Sequence, residues 1–400
     1  MITEIEIANY KSIDTLKLEL GRINVFIGEN GAGKSNILEV IALAGAAAAD
    51  KLDNEFLTSR GIRVTEPEHM RAAFPGADLA SPLSISISHD SEKIACIKLE
   101  NENTAYSKGI ATFDSLEGHT DAPFLNEQIN NKSNKEIRGF DRIINKLIKE
   151  SQNTSEDAKN FLIRMDSILA ESLLTFSPAK QIIEDFIIYS PENSSLRTFQ
   201  REGQIEPLGI NGEGLLKLLS VHSQNSNLET FIGIKSSLGL LDWFEDFKVV
   251  TGLEDGGLEV KDRYLDETIK DFDHKSTNEG FFFLLFYFAL FSSNLTPKFF
   301  AVDNVDASLN PKLCQKLIVE LVMLAKKNDK QTILTTHNPA ILDGLNLDDD
   351  EQRLFVISRG KSGATRIKRI SKPISNDGDH PYRLSELFLR GVLGGLPKGF

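Results

Sequence analysis

The chain has 400 residues, 40% of them hydrophobic, which is enough to bury the core of one large domain with an insertion or of two to three smaller units. The net charge of −13 excludes a protein that coats nucleic acid through an overall positive field. The two cysteines, Cys96 and Cys314, lie far apart without metal-ligand spacing, which excludes a zinc site and a disulfide framework.

The sequence contains no apolar segment that is long enough for a membrane span. Its first residues mix Glu4 and Glu6 with isoleucines and do not form a signal peptide. The most apolar run, Phe281 to Phe291, has eleven residues, fewer than the about 20 that a spanning helix needs. We therefore expect a cytoplasmic protein without membrane contact, in which this run is a buried helix.

The first fifty residues combine a strand pattern with a phosphate-binding loop. Apolar and polar residues alternate around positions 5–7 and 16–20, which predicts two half-buried strands. A third apolar strand, Ile23 to Ile27, leads into residues 28–35, whose sequence GENGAGKS matches the P-loop pattern G-x-x-x-x-G-K-S/T. A helix is predicted from Ser35 to Ala49. A chance glycine-rich turn is the alternative interpretation.

The P-loop pattern implies a specific chemistry. Its glycines let backbone N–H groups point at phosphates, Lys34 reaches the β and γ oxygens, and the Ser35 hydroxyl binds Mg²⁺. The positive end of the following helix adds to the attraction. The sequence therefore predicts a nucleoside triphosphate site.

The middle of the chain has weaker patterns. Strands are predicted at Ser84 to Ser88 and Ile94 to Leu99, and an apolar run extends from Ile182 to Tyr189. Between them, residues 124–180 have helical spacing of apolar positions and predict a helical insertion. The segment Gly209 to Gly214 precedes a helical stretch, and we favour a turn there over a second anion site.

Short strands alternate with helical patterns in the last hundred residues. Phe299 to Val302 is an apolar strand followed by Asp303, the form in which an aspartate holds Mg²⁺ in P-loop ATPases. Further strands are predicted at Thr332 to Thr335, just before His337, and at Leu354 to Ile357. This alternation predicts a parallel, doubly wound sheet.

Four segments together resemble the SMC/RecF/OLD group of ABC-type ATPases, specifically AAA family ATPases of the bacterial antiphage defence type. They are Ile7 to Ile13, Ile27 to Asn36, Asp303 to Pro311 and Thr335 to Pro339. The resemblance implies an α/β fold, an ABC-type P-loop ATPase head in which an N-terminal β-layer joins a mostly parallel doubly wound sheet with a helical insertion. The implied division is 1–123 and 181–400 for the head and 124–180 for the insertion.

The resemblance also implies a composite site between two copies that pack head to tail around ATP and Mg²⁺. Each P-loop would face the partner's signature segment, here Asn278-Glu279-Gly280, where asparagine replaces the usual serine. Leu309 to Pro311 would be the D-loop and His337 the switch histidine. The implied nucleotide contacts are Lys11, Asn30, Gly31, Ala32, Gly33, Lys34, Ser35, Asn36, Asn278, Glu279 and Gly280, with Ser35 and Asp303 on the metal. Taken alone, Lys11 is equally typical of a solvated loop, and His337 of a surface residue.

Position 304 departs from the resemblance, because Asn304 stands where the group has a catalytic glutamate. An amide orients water but cannot accept its proton, and general-base catalysis contributes about 10²–10⁴-fold. The expected catalytic set is therefore Asp303, Asn304, Asp306 and His337, with Asp306 as the nearest substitute carboxylate. We expect tight ATP binding and slow hydrolysis.

One basic cluster interrupts this acidic chain. It consists of Arg359, Lys361, Arg366, Lys368, Arg369 and Lys372. DNA, RNA or an acidic partner surface is one interpretation, and an exposed basic hairpin is the other and slightly favoured one. The acidic run Asp348 to Glu351 is typical of a solvated loop.

The chain ends about 63 residues after His337, which is too short for the Toprim nuclease domain of full-length OLD nucleases. We therefore expect an ATPase that forms a homodimer or higher oligomer and controls a separate effector, such as a nuclease, in bacterial antiphage defence. A RecF-like repair ATPase that clamps DNA is the second interpretation. A nucleotide-locked scaffold that never cycles is the third.

Overall fold

The computed structural model describes most of the chain outside one long central segment. The described residues are 1–65, 67–74, 81–89, 92–100, 110–113, 178–224, 228–250, 257–266, 268–269, 271–372 and 383–396. The helical insertion predicted for 124–180 lies outside them except for its last three residues. The insertion and its boundaries therefore stay predictions.

The described residues form strands and helices in alternation. The strands are β1 (Ile2–Tyr10), β2 (Ile13–Glu19), β3 (Ile23–Ile27), β4 (Leu83–His89), β5 (Glu92–Glu100), β6 (Ile110–Phe113), β7 (Ile188–Tyr189), β8 (Phe244–Val250), β9 (Gly257–Asp262), β10 (Asp271–Asp273), β11 (Phe299–Val302), β12 (Gln331–Thr336), β13 (Gln352–Arg359) and β14 (Thr365–Ile370). The helices are α1 (Lys34–Ala48), α2 (Asn54–Ser59), α3 (Pro67–Met70), α4 (Pro178–Glu184), α5 (Asn193–Leu196), α6 (Leu215–His222), α7 (Leu228–Ser237), α8 (Glu279–Ser292), α9 (Pro311–Lys327) and α10 (Leu384–Leu389).

The central sheet has the strand order β14-β13-β3-β12-β11-β7. All neighbouring pairs are parallel except β13 and β14, which form an antiparallel hairpin. Ile27 pairs with Thr336 on one side and with Val356 on the other, so these strands end at the same edge. The predicted doubly wound sheet is confirmed. Ligands of such sheets bind at the carboxyl ends of the strands.

An antiparallel sheet of order β2-β1-β4-β5-β6 forms the N-terminal layer, which confirms the predicted strands. A third sheet, β10-β9-β8, is also antiparallel and immediately precedes α8. The sequence analysis did not predict it. Its strands are short, and β8 buries Phe244 and Phe247 while its other residues are exposed or half-buried.

Helix α8 is the hydrophobic centre of the C-terminal half, as predicted. Every residue from Phe281 to Ser292 is buried, so the helix is covered on all sides. Phe281 packs against Trp243 and Phe244, with ring centroids 5.9 and 5.8 Å apart, and joins α8 to the third sheet. Within the described ranges, no helix is both long and apolar enough to span a membrane.

Gln331, the first residue of β12, connects the central sheet to the N-terminal layer. Its amide oxygen accepts a hydrogen bond from Ile2 N at 2.9 Å, and its amide nitrogen donates to Ile2 O at 2.6 Å and Gly21 O at 2.8 Å. The side chain is only 4% exposed, so water does not replace these bonds. The two layers are therefore held together by a buried amide.

We predict that Gln331→Leu lowers the free energy of unfolding by about 2–4 kcal/mol, because it removes the side-chain partner of the buried Ile2 N–H and Ile2 carbonyl. The Gly21 carbonyl keeps its hydrogen bond from Asn24 Nδ2 at 2.9 Å. Urea unfolding followed by circular dichroism measures the loss. Thr332→Val is the matched control, since the neighbouring Thr332 hydroxyl is buried and has no hydrogen-bond partner in the described part of the chain. Equal stability of the two variants would contradict the connecting role of Gln331.

Candidate nucleotide site

The P-loop lies between β3 and α1, as predicted. Gly33 has a left-handed backbone with φ of 108° and is the residue before the first turn of α1. The Lys34 ammonium donates to Gly28 O at 2.9 Å and Glu29 O at 3.1 Å, inside the curve of the loop. Burial lowers the pKa of Lys34, while the carboxylates of Asp303 and Glu29 oppose that shift. The loop thus holds a buried cation among carbonyls that phosphate oxygens can replace.

Residues from near both ends of the chain form hydrogen bonds that hold this loop. Thr365 Oγ1 on β14 donates to Ala32 O at 3.1 Å, and Arg359 Nε on β13 donates to Gly31 O at 2.9 Å. Ser12 Oγ lies 2.7 Å from Thr365 Oγ1 and also accepts a 2.7 Å hydrogen bond from Asn36 Nδ2. Ser12 and Thr365 were not predicted as site residues. Ser12 lies inside a segment that carried the resemblance, but Thr365 belongs to no motif.

Gly33 cannot carry a side chain at this position. A Cβ there would lie 2.1 Å from Thr365 Oγ1, whereas a Cβ on Gly31 would meet nothing within 4 Å. Both glycines have positive φ, so a side chain at either position adds backbone strain. Only at Gly33 does it also create a steric clash.

We therefore predict that Gly33→Ala weakens Mg²⁺–ATP binding by at least about 100-fold, because the loop must move away from Thr365. Gly31→Ala is the matched variant and should weaken binding by about ten-fold or less, since only backbone strain is added. Isothermal titration calorimetry measures both affinities. Equal losses in the two variants would contradict the steric explanation.

Lys11 lies beside the P-loop in an ion cluster around the buried carboxylate of Glu39. Its ammonium is 2.6 Å from Glu39 Oε2, and Arg63 binds the other oxygen of the same carboxylate. Glu39, on α1, is 1% exposed. Lys11 also has a left-handed backbone with φ of 44°, which is rare for a side chain of this kind. The ion pair with Glu39 shows that Lys11 is not a solvated loop lysine, and its contact with a nucleotide stays a prediction.

A cavity of about 500 Å³ lies beside this cluster. Its lining residues include Lys11, Ser12, Asn36, Arg63, Phe74 and Arg359. Cationic side chains and one aromatic ring next to a phosphate loop suit the sugar and base of a nucleotide. Glu39 and Arg63 were missed by the sequence analysis because neither belongs to the P-loop pattern.

Asp303 and Asn304 follow β11 at the same sheet edge. Asp303 accepts a short hydrogen bond from Thr335 Oγ1, and its backbone N–H donates to Tyr189 O at 2.8 Å. Asn304 is exposed and has a left-handed backbone with φ of 57°. Asparagine adopts this conformation more easily than glutamate does. The backbone therefore suits the amide that replaces the expected glutamate.

Asp306 belongs to the turn after β11, and His337 belongs to the turn after the neighbouring strand β12. The Asp306 carboxylate accepts a 2.6 Å hydrogen bond from Thr336 Oγ1, and His337 is exposed after β12. Partial burial lowers the pKa of His337 and Lys34 lowers it further, while Asp306 and Asp303 oppose the shift. The lowered pKa favours the neutral imidazole, which can both donate and accept a hydrogen bond.

The predicted signature segment, Asn278-Glu279-Gly280, lies at the start of α8. Asn278 is the N-cap, and its Oδ1 accepts a 2.9 Å hydrogen bond from Phe281 N, as a serine side chain also does at such a position. A Cβ on Gly280 would lie 3.4 Å from Ser308 O and 3.6 Å from Leu309 Cδ2, so the segment packs against the start of the predicted D-loop of its own chain. Arg197 supports the turn by donating to Thr277 O at 2.7 Å and by stacking on Phe282. Asn278 and Glu279 remain exposed.

The predicted basic cluster does not form one continuous patch. Arg359 binds the P-loop, Arg369 lies 3.1 Å from Asp350, and Lys372 pairs with Asp348. The acidic run 348–351, predicted as a solvated loop, thus neutralises part of the cluster. The remaining members, Lys361, Arg366 and Lys368, are exposed on the β13–β14 hairpin.

The Gly209–Gly214 segment is filled by its own carboxylate. Glu213 is 4% exposed and accepts hydrogen bonds from Asn211 N at 3.1 Å and from Arg201 at 3.4 Å. Helix α6 follows at Leu215. These contacts agree with the favoured turn, in which the buried carboxylate of Glu213 would repel a second anion.

The residues at the sheet edge fit a magnesium-bound triphosphate. Gly33 lets the loop pack closely against Thr365, Lys34 supplies a buried ammonium, and Ser35 and Asp303 supply a hydroxyl and a carboxylate. Among the described residues, no group of three or more His, Cys, Asp or Glu side chains could hold a metal alone. Mg²⁺ is usually bound by one or two protein oxygen ligands together with substrate phosphates and water, which Ser35 and Asp303 fit.

Comparison with known proteins agrees with this geometry. A family described as "AAA domain, putative AbiEii toxin, Type IV TA system" matches residues 23–343. The crystal structure of an SMC head bound to the C-terminal winged-helix domain of ScpA has a TM-score of 0.53 at 14% identity, covering 92% of this chain and 98% of that one. This likeness shows the fold.

Two curated proteins are similar over short segments. The replication and repair protein RecF of Lysinibacillus sphaericus is 40% identical over 55 residues, 14% of this chain and 15% of that protein. An uncharacterized protein of Methanocaldococcus jannaschii is 45% identical over 67 residues, 15% of this chain and 31% of that protein. The matches thus span less than a third of either relative.

Proposed function

This chain belongs to the AAA domain family that matches residues 23–343, and we propose on that premise that it binds ATP with Mg²⁺ and hydrolyses it slowly to control a separate effector. It is an SMC/RecF-like ABC-type P-loop ATPase with the fold of an SMC head. The proposal rests on one observation above all. The P-loop, Asp303 and the His337 turn converge at the carboxyl edge of one parallel sheet.

The chain's own residues supply the binding steps. Lys34 exchanges its bonds to Gly28 O and Glu29 O for phosphate oxygens, and the backbone N–H groups of the loop bind the remaining oxygens. The cavity beside Lys11 and Phe74 takes the sugar and base. Ser35 and Asp303 hold the ion, which when bound neutralises charge on the phosphates.

Slow hydrolysis follows from Asn304. Its amide orients a water molecule but does not take the proton, and its left-handed backbone makes glutamate costly by about 1–2 kcal/mol. The neutral imidazole of His337 donates a hydrogen bond to the terminal phosphate. These residues therefore favour a long-lived ATP-bound state.

We predict that Asn304→Glu raises kcat by about 10²-fold or more, because it restores a general base, and lowers stability by about 1 kcal/mol through the strained backbone. Phosphate release and urea unfolding measure the two effects. Asn304→Gln is the control, since it lengthens the side chain without adding a base. If Asn304→Glu and wild type hydrolyse equally fast, position 304 does not limit turnover.

ATP would also drive assembly. The exposed Asn278 and Glu279 lie on a turn backed by the chain's own D-loop, which leaves them available to the nucleotide of a second copy. Slow hydrolysis would keep such a head-to-tail dimer closed. Light scattering with and without ATP tests this step, and a mass that stays monomeric in both conditions would contradict it.

Control of a separate effector is supported by the family description, which names a toxin of a toxin–antitoxin system. The test is to co-express the chain with the genes that flank it and to infect the cells with phage. The plating efficiency of the phage is then compared between wild type and Lys34→Ala. We expect protection with wild type and its loss with Lys34→Ala, which removes the buried ammonium. Lys298→Ala is the control, because Lys298 is exposed and far along the chain from the P-loop. Equal protection by Lys34→Ala and wild type would contradict control by ATP.

A RecF-like DNA clamp is the second candidate, because the match to RecF favours it. It predicts ATP-dependent DNA binding that weakens steeply with salt. Lys361, Arg366 and Lys368 would be the cations involved, since they are exposed. Fluorescence anisotropy at two salt concentrations, with these residues replaced by glutamine, separates this function from effector control.

A further inference from the structure

Two neighbouring threonines at the end of β12 hold opposite sides of the turn that follows β11. Thr335 Oγ1 donates to Asp303 and accepts from Asn304 N at 3.0 Å, while Thr336 Oγ1 donates to Asp306 Oδ1 at 2.6 Å. Successive side chains of a strand point to opposite faces, so residues 303–306 wrap around the strand end. Both threonines are fully buried.

The Thr336 hydroxyl also fixes the residues that flank His337. It accepts a 2.9 Å hydrogen bond from Asn338 N, and Asn338 Oδ1 accepts from Ala340 N at 3.0 Å to open the 3₁₀ turn Pro339–Gly344. Asp306, Thr336 and Asn338 therefore form one continuous set of hydrogen bonds. His337 lies between its last two members.

Asp306 is half-buried. Burial raises the pKa of the Cys314 thiol to about 11, and the Asp306 carboxylate adds to that rise. The same carboxylate adds to the raised pKa of Tyr287, whose buried hydroxyl has no hydrogen-bond partner among the described residues. Asn304, by contrast, is exposed at the sheet edge. A general base must reach the attacking water, whereas the Asp306 carboxylate accepts the hydrogen bond from Thr336 Oγ1.

From these contacts we propose that Asp306 is a positioning residue, not the substitute base: it holds Thr336, and through Thr336 it fixes the turn that carries His337. The inference deepens the proposed function, on which its catalytic consequence rests. Leu309 of the D-loop donates its N–H to Asp306 O at 3.3 Å. A shift of the D-loop therefore moves Asp306, releases Thr336 and changes where the imidazole lies. The D-loop and the switch histidine then act as one unit.

Hydrogen–deuterium exchange of the nucleotide-free full chain tests the structural part. In Thr336→Val and Asp306→Ala, the amides of residues 338–344 should exchange about ten-fold faster, because the turn loses a buried hydrogen bond. Thr336→Ser and Asp306→Asn keep a donor and an acceptor and should stay within about two-fold of wild type. Thr332→Val is the matched control, a buried threonine of the same strand whose hydroxyl has no partner among the described residues.

Wild-type exchange in Thr336→Val, or equally fast exchange in Asp306→Asn and Asp306→Ala, would overturn the proposal. The conservative variants keep the test valid if the larger changes impair folding. Because no nucleotide is present, this result stands even if ATP binding fails. The two failures are therefore distinguishable.

Hydrolysis kinetics test the catalytic part. Asp306→Ala and Thr336→Val should each lower kcat by about ten-fold at unchanged KM, with the double variant no slower than the slower single variant. Asp306→Asn should lose less than Asp306→Ala. A base role predicts the opposite pattern, in which Asp306→Asn is as slow as Asp306→Ala and Thr336→Val hydrolyses normally, and this pattern would overturn the assignment.

Discussion

The parallel pairing of β3 with β12 and of β12 with β11 determines where every functional turn lies. In that register Ile27, Val302 and Thr336 end at one edge, so the P-loop, Asp303 and His337 emerge together although more than 300 residues separate the first from the last. A slip of one residue would turn the buried side chains of a strand to the opposite face. The strands are buried along their full length, which makes such a slip very costly.

Local patterns were sufficient to predict the elements of this edge. The P-loop is recognisable because its glycines are required by backbone conformation, and β11 and β12 because each is a short apolar run between polar turns. The buried helix α8 was equally clear, since eleven apolar residues leave no polar face. The structure confirms these elements and the mostly parallel sheet.

The partners of these elements were not predictable from one sequence. Thr365 and Arg359 bind the P-loop because β14 and β13 fold back beside β3, and nothing in their local sequence indicates that pairing. Glu39 is one polar residue in an apolar helix, and only its contacts with Lys11 and Arg63 show why it is buried. The basic cluster was divided for the same reason, because its counter-ions come from the acidic loop.

The hydrogen bonds that hold the P-loop have a thermodynamic consequence. Ala32 and Asn36 are bonded to Thr365 and Ser12, so the loop is held both by the hairpin near the end of the chain and by the turn near its start. A ligand that binds only the folded loop adds about 2.7 kcal/mol of stability at a hundred times its Kd. That stabilisation is shared by segments more than 350 positions apart. A bound nucleotide would therefore reversibly strengthen the attachment of the β1–β2 hairpin to the β13–β14 hairpin.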